Sequence, residues 1–294
     1  MDWKSVARCI SRERGRAVSL DQPKFINGGG CINSAAVVSG SDGRRYFVKF
    51  NDPSCGSMFE AELTGLVELK SAEAVRVPEP VCCGVSDNAA FLVLEYLELG
   101  ARKSGTEKRL GQQLATVHRK TASLYGWDRH NTIGATPQIN SKTDDWIEFW
   151  RIHRLGYQLS LARQNGHGCD LQRTGERLLS GLNVFFSGYD PQPSLLHGDL
   201  WGGNFAALSD GAPVLYDPAV YYGDRETDIA MTELFGGFGS SFYASYRDNY
   251  PLDAGYQTRK HLYNLYHVLN HLNLFGGGYL RQVETLLDLL VAEL

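Results

Sequence analysis

Two spacings of apolar residues divide the chain. Up to about residue 99 the apolar runs are short and bounded by turn residues. KFINGGG ends a run in three glycines, and CINSAAVV and RRYFVKF flank SGSDG, a hairpin signal. Residues 56–70 break this rhythm: Phe59, Leu63, Leu66 and Val67 fall at i, i+4, i+7 and i+8, one helical stripe. VRVPEPVCCGV and AAFLVLEYLEL then predict two further strands. Beyond Gly100 the spacing becomes helical over 106–121, 145–165 and 170–186, while GWDRHNTIGATPQIN, rich in Gly, Asn and Pro, predicts a loop. A strand–loop–strand segment, SLLHGDLWGGNFAALSDGAPVLYDPAV, precedes several helices from about 226, one carrying Leu262, Leu265, Tyr266 and Leu269. The pattern predicts an α+β, bilobal arrangement. A small β-rich N-lobe with one helix occupies 1–99, and a larger, mainly helical C-lobe occupies 100–294.

Composition narrows the classes of function. A formal net charge of −4 leaves no basic excess to hold a phosphate backbone, so nucleic acid is not an expected partner. The N-terminal MDWKSVARCISRERGR mixes charges throughout and lacks the apolar core of a signal peptide. No apolar run is long enough to span a bilayer. The expectation is a cytoplasmic chain, off the membrane, acting as a monomer or dimer. The six cysteines form no CxxC pair, which predicts free thiols rather than a zinc site.

Chemistry concentrates in HGDLWGGN, residues 197–204, and LYDP, residues 215–218. Asp199 and Asn204 are five positions apart, and Asp217 lies eighteen beyond Asp199. Protein kinases keep the same Asp-to-Asn offset ahead of a second Asp. Phosphoryl transfer explains the need. One carboxylate orients and deprotonates the attacking hydroxyl, while an amide oxygen and a second carboxylate hold Mg²⁺ on the phosphates of ATP. This assigns Asp199 as the base and Asn204 with Asp217 as metal ligands. Each motif alone reads as a turn; in this order, after a β-rich lobe, they favour phosphoryl transfer. His197 and Asp228, the latter in DRETD, are expected to brace the catalytic loop.

The N-lobe supplies the nucleotide side of that reading. Gly28, Gly29 and Gly30 would let backbone N–H groups approach phosphate oxygens. Lys49, in YFVKF, would reach the α- and β-phosphates, and the helix over 56–70 should supply a glutamate to orient it. Glu62 sits beside the apolar stripe and Glu60 points away from it, so Glu62 is preferred. Backbone groups near Glu95, Tyr96 and Leu97, at the end of a strand, would read the adenine edge. Cys31 follows the glycines and is a candidate for reversible oxidation that lowers activity; the bland alternative is a small apolar filler.

With these residues in view, the chain resembles the fructosamine kinase, or ketosamine-3-kinase, family, relatives of aminoglycoside and choline kinases. HGDLWGGN with Trp201 is the most specific part, and NGGGCINSA, FEAELTGL, LGQQLATVHRKTASLYGW and YDPAVYYGDRETDIAMTELFGGF extend it over nearly the whole chain. The resemblance implies a protein-kinase-like fold and ATP- and Mg²⁺-dependent phosphorylation of the 3-hydroxyl of ketosamines, small or protein-linked. It implies Asp199 as the catalytic residue, Asn204 and Asp217 as the magnesium pair, and Trp201 at the acceptor site. Two rivals stay open: a kinase for another small acceptor, such as an aminoglycoside, choline or a simple sugar, and a non-catalytic kinase-like binding protein.

Overall fold

The structure, a computed structural model, describes residues 1–26 and 32–294. The chain forms two compact units, one of Met1–Thr106 with Ala206–Pro218, the other of Glu107–Phe205 with Ala219–Leu294.

The first unit opens with a helix, α1 (Trp3–Arg14). The β-rich lobe therefore carries two helices, not the single one expected. The charges that mask α1 in the sequence occupy its outer face, and only Val6 and Ile10, four residues apart, are fully buried. Asp2 caps its start by accepting from the backbone N–H of Lys4, and Gly15 in the left-handed conformation ends it.

Five antiparallel strands follow: β1 (Lys24–Ile26), β2 (Ser34–Ser39), β3 (Arg45–Asn51), β4 (Pro80–Ser86) and β5 (Ala89–Glu95), in the order β1-β2-β3-β5-β4. Val6 and Ile10 of α1 share one core with Val38, Val48, Phe91 and Val93 of the sheet. Burying each such side chain contributes about 1.5–3 kcal/mol. Successive strand residues face opposite sides, so Lys49, next to Val48, points away from this core. The second helix, α2 (Gly56–Lys70), buries Phe59, Leu66 and Leu69 and packs on β4 and β5. Three short strands complete the unit: β6 (Leu99–Gly100), β10 (Phe205–Leu208) and β11 (Pro213–Leu215), with β10 in the middle. The returning segment is stitched in by the backbone N–H of Leu215 donating to Arg76 (3.0 Å) and by Thr106 Oγ1 donating to the carbonyl of Gly211 (2.8 Å).

The second unit is mainly helical. Its elements are α3 (Thr106–His118), α4 (Trp146–Trp150), α5 (Tyr157–Gln164), α6 (Cys169–Ser180), α7 (Glu226–Leu234), α8 (Ser240–Asn249), α9 (Tyr256–Phe275) and α10 (Leu280–Val291). A π-helical turn, Arg151–Gly156, joins α4 to α5. It aims the buried Arg154 guanidinium at the rings of Phe149, Tyr221 and Tyr266, 4.1–5.7 Å away. Within the segment expected to be loop, β7 (Asn131–Ile133) and β8 (Thr136–Gln138) form a hairpin. Strands β9 (Ser194–Leu196) and β12 (Tyr221–Gly223) pair antiparallel, bringing the two ends of the HGD-to-YDP segment side by side. Among the described residues no helix is long and apolar enough to cross a membrane.

Candidate active site

In the first unit, Lys49 stands between two carboxylates. Its Nζ lies 2.5 Å from Glu62 Oε1 and 2.5 Å from Asp217 Oδ1. The register of β3, with Lys49 opposite Ala35 and Leu92, fixes the lysine mid-sheet, and α2 presents Glu62 to it. Burial alone would push the Lys49 ammonium toward neutrality, but the charges of Asp217 and Glu62 outweigh it and hold its pKa well above the ordinary value. Asp217 adopts φ +57°, one of two non-glycine residues with positive φ among those described. That left-handed backbone costs about 1 kcal/mol and aims the carboxylate at Lys49. The Asp217 side chain is 42% exposed although it is bonded to a buried lysine.

In the second unit, the HGD turn leaves β9 and is held from beneath. Asp228, at the start of α7, accepts from the backbone N–H groups of His197 (2.7 Å) and Gly198 (2.9 Å). Its Oδ2 also lies 3.2 Å from His118 Nε2, while His118 Nδ1 is 2.7 Å from the Tyr246 hydroxyl. These contacts set the tautomer: Nε2–H donates to Asp228, and Nδ1 accepts from Tyr246, which in turn accepts from Arg225 (3.1 Å). Burial pushes the His118 pKa down and keeps the ring neutral. Burial would raise Asp228, but the hydrogen bond from His118 and the loop N–H groups prevail and its pKa lies below the ordinary carboxylate value.

Gly198 makes the turn possible. It has φ +81°, and a Cβ there would sit 2.0 Å from the carbonyl oxygen of Ala219. Beyond it, the Asn204 amide donates to the Asp199 backbone carbonyl (2.9 Å) and to Asp199 Oδ2 (3.0 Å), tying the two ends of the loop. Trp201 is 40% exposed, and its ring covers Gly203, where a Cβ would meet the indole at 2.2 Å.

His197 is fully buried, and its Nδ1 accepts from the Asp199 N–H (3.3 Å). Glu95 ends β5 and binds Arg76 (2.5 Å) through its side chain, while the Tyr96 N–H donates to the Arg45 carbonyl (3.2 Å). Leu97 follows in the link to β6. Gly28, Gly29, Gly30 and Cys31 lie outside the described residues. In the sequence, neither His118 nor Tyr246 stands out as a support; the helical spacing over 106–121 gives no sign that His118 bonds Asp228, 110 positions away.

A buried lysine held by two carboxylates and an Asp–Asn loop braced by a second buried Asp are the equipment of protein-kinase-like phosphotransferases, and the fold agrees. The ADP-bound aminoglycoside phosphotransferase APH(2'')-Ib superimposes with TM-score 0.64 at 13% identity, covering 100% of this chain and 99% of that one. A protein assigned as a fructosamine-3-kinase from Haemophilus somnus 129PT superimposes with TM-score 0.89 at 29% identity, over 98% of this chain and 97% of the other. The fructosamine kinase family model matches residues 2–293, and the chain belongs to that family. It is 45% identical over 287 residues to the probable ketoamine kinase slr1563 of Synechocystis, covering 97% of this chain and 95% of that one. It is 43% identical over 277 residues to the chloroplastic protein-ribulosamine 3-kinase of Oryza sativa subsp. indica, covering 93% and 80%.

Proposed function

We propose that this chain transfers the γ-phosphoryl group of ATP to the 3-hydroxyl of a ketosamine, with the first unit serving the nucleotide and the second the acceptor. The supporting observation is Lys49 bound to both Glu62 and Asp217 in a chain that matches the fructosamine kinase family over residues 2–293. A non-catalytic relative usually lacks one of the lysine, the catalytic Asp or the metal-binding Asp, whereas Lys49, Asp199 and Asp217 all stand here.

The residues act as follows. Lys49 stays charged and positions the α- and β-phosphates. Asp199 orients the acceptor O3–H and takes its proton as the oxygen attacks phosphorus; the O3–P bond forms as the bond to the ADP oxygen breaks. Asp217 and Asn204 offer a carboxylate and an amide oxygen, the hard donors that suit Mg²⁺, which characteristically takes few protein ligands beside phosphates. Bound there, Mg²⁺ would offset phosphate charge. Trp201 lies on the loop between Asp199 and Asn204, and its exposed ring would pack on the C–H face of the sugar. Phosphate at C3 is a better leaving group than hydroxide, so its later elimination frees the amine and removes the sugar. The five described cysteines are all free thiols, which suits a reducing cytoplasm.

The test is turnover with Mg-ATP on fructosamine, ribulosamine and erythrulosamine derivatives beside an aminoglycoside, choline and free fructose. Phosphorylation of ketosamines at O3 is expected, and Asp199→Asn should lower kcat about 10²–10⁴-fold with ATP still bound. Turnover confined to the aminoglycoside or choline would overturn the substrate.

A further inference from the structure

Directly beside the HGD loop, the second unit carries an aromatic cluster that the phosphoryl-transfer reading leaves unused. The turn after α7, residues 235–238, lies against Gly202: a Cβ on Gly237 would come 2.8 Å from Gly202 Cα. Phe238 stacks on Phe205 with centroids 5.6 Å apart, and Phe205 is the residue after Asn204. The same turn carries Phe235, whose ring centroid is 4.7 Å from His271 on α9. His271 lies 5.5 Å from Phe275 and 5.2 Å from Tyr279, so three aromatic rings gather round one imidazole.

Two observations separate this cluster from ordinary core. Phe235 is 37% exposed and Phe275 53%, whereas Leu262, Tyr263, Leu265, Tyr266 and Leu269 earlier on α9 are essentially buried. The second observation is the orientation of His271. Its Nδ1 sits 2.8 Å from the carbonyl of His267, which only an Nδ1–H can satisfy. Nε2 therefore carries the lone pair. Burial lowers the His271 pKa, so the ring is neutral, an acceptor set among π faces.

We propose that Phe235, His271, Phe275 and Tyr279 form the subsite for the amine end of the acceptor, the protonated secondary amine that joins a ketosamine sugar to its carrier. This deepens the ketosamine reading and rests on it. A secondary ammonium presents two N–H donors and flanking methylenes. One N–H meets His271 Nε2, while the charge and the methylenes lie over the faces of Phe235, Phe275 and Tyr279. Choline-type cations are recognised by rings in the same way, but the acceptor nitrogen of His271 selects an ammonium that still carries a hydrogen. The subsite explains how a sugar kinase prefers sugars that bear an amine: free sugars lack the cation, and the neutral imidazole does not repel it.

The experiment compares two acceptors with the full-length enzyme and Mg-ATP: an N-alkyl fructosamine, and the same molecule with an ether oxygen in place of nitrogen. Wild type is expected to show KM for the amine about 3- to 30-fold below that for the ether. Phe275→Leu should erase most of that preference by raising the amine KM alone, with KM for ATP and the melting temperature unchanged, and Phe275→Tyr should retain it. Phe235→Leu should act in the same direction; if it lowers stability, the exposed Phe275 still gives the answer. Equal losses on amine and ether would mean these rings only pack on the sugar and would overturn the proposal, as would an unchanged preference in Phe275→Leu. If wild type phosphorylates neither acceptor, the ketosamine reading falls and the subsite with it; if it phosphorylates both equally, that reading stands and the subsite alone is refuted.

Discussion

Replacing Asp228 by Asn isolates the brace under the HGD turn. The shape is nearly conserved, but the charge is lost and one acceptor oxygen becomes an NH₂. The carboxylate accepts from His197 N–H, Gly198 N–H and His118 Nε2–H, and it is 1% exposed. An amide serves at most part of this set, because its NH₂ must face one of three donors. Charge-assisted bonds to a buried group contribute about 1.5–3 kcal/mol each, and a buried donor left unpaired costs about 1–3 kcal/mol. Some relaxation through His118 is available, so a net loss of roughly 2–5 kcal/mol is expected, a fall in Tm of roughly 5–15 °C. The loop that carries Asp199 loses its support, so kcat should fall at least tenfold while KM for ATP changes little. The pH dependence has a definite sign. The folded pKa of Asp228 lies below its unfolded value, so its contribution is full above about pH 4 and is lost as pH falls through the folded pKa. The Tm gap between wild type and Asp228→Asn should therefore be constant from pH 8 to 5 and narrow in stronger acid. Calorimetry across pH with steady-state kinetics measures both. A variant melting within about 1 °C of wild type with kcat within twofold would refute the brace.

Gly198→Ala should be among the most damaging single changes, since it puts a Cβ 2.0 Å from the Ala219 carbonyl oxygen at φ +81°; a soluble variant with wild-type Tm would contradict the turn geometry. Gly203→Ala displaces the Trp201 ring, which lies 2.2 Å from the new Cβ, and is expected to raise acceptor KM severalfold while leaving KM for ATP alone; equal changes in both would reduce Trp201 to loop packing. His267 is buried neutral, with its pKa pushed down to about 3 by burial first and by the neighbouring His271 next. Its stabilising effect is complete above the unfolded value near 6.5 and is lost as pH falls toward 3, so His267→Asn should flatten the Tm–pH slope between pH 6.5 and 5 relative to wild type.

Local rules in the sequence carried far in some places and failed in others for physical reasons. The sheet and α2 were legible because short apolar runs bounded by turn residues and the Phe59–Leu66 stripe are local signals, and the offset of Glu62 from that stripe sets it apart from Glu60, in line with its ion pair to Lys49. α1 was not legible: two buried residues, Val6 and Ile10, make too thin a stripe among many arginines. The β7–β8 hairpin hid in a segment whose Gly, Asn and Pro content reads as loop, because buried polar side chains rather than apolar ones hold it. Asn131 donates to the Val220 carbonyl (2.8 Å) and Gln138 to the Ala219 carbonyl (3.0 Å). The candidate chemistry-bearing residues and one support, Asp228 in DRETD, stand in motifs that the sequence shows, whereas the partners behind Asp228 do not. His118 and Tyr246 reach Asp228 only through tertiary packing, and nothing in the spacing of α3 or α8 encodes that meeting.

The segment 206–218 leaves the helical unit's stretch of sequence to complete the sheet-bearing one, and this sets an order for biosynthesis. When the ribosome has finished Thr106, every strand from β1 to β6 exists, yet Lys49 has only Glu62 as partner and β6 lacks its neighbour β10. Asp217 is made more than a hundred residues later, a delay on the order of 5–20 s at ordinary elongation rates. Through that interval Lys49 has the charge partner Glu62 but lacks the second acceptor, Asp217, that it bonds in the finished fold. The sheet-bearing half cannot be completed before the loop bearing Asp199 has itself been synthesised, so a chain truncated between the two is born without a complete lysine cluster.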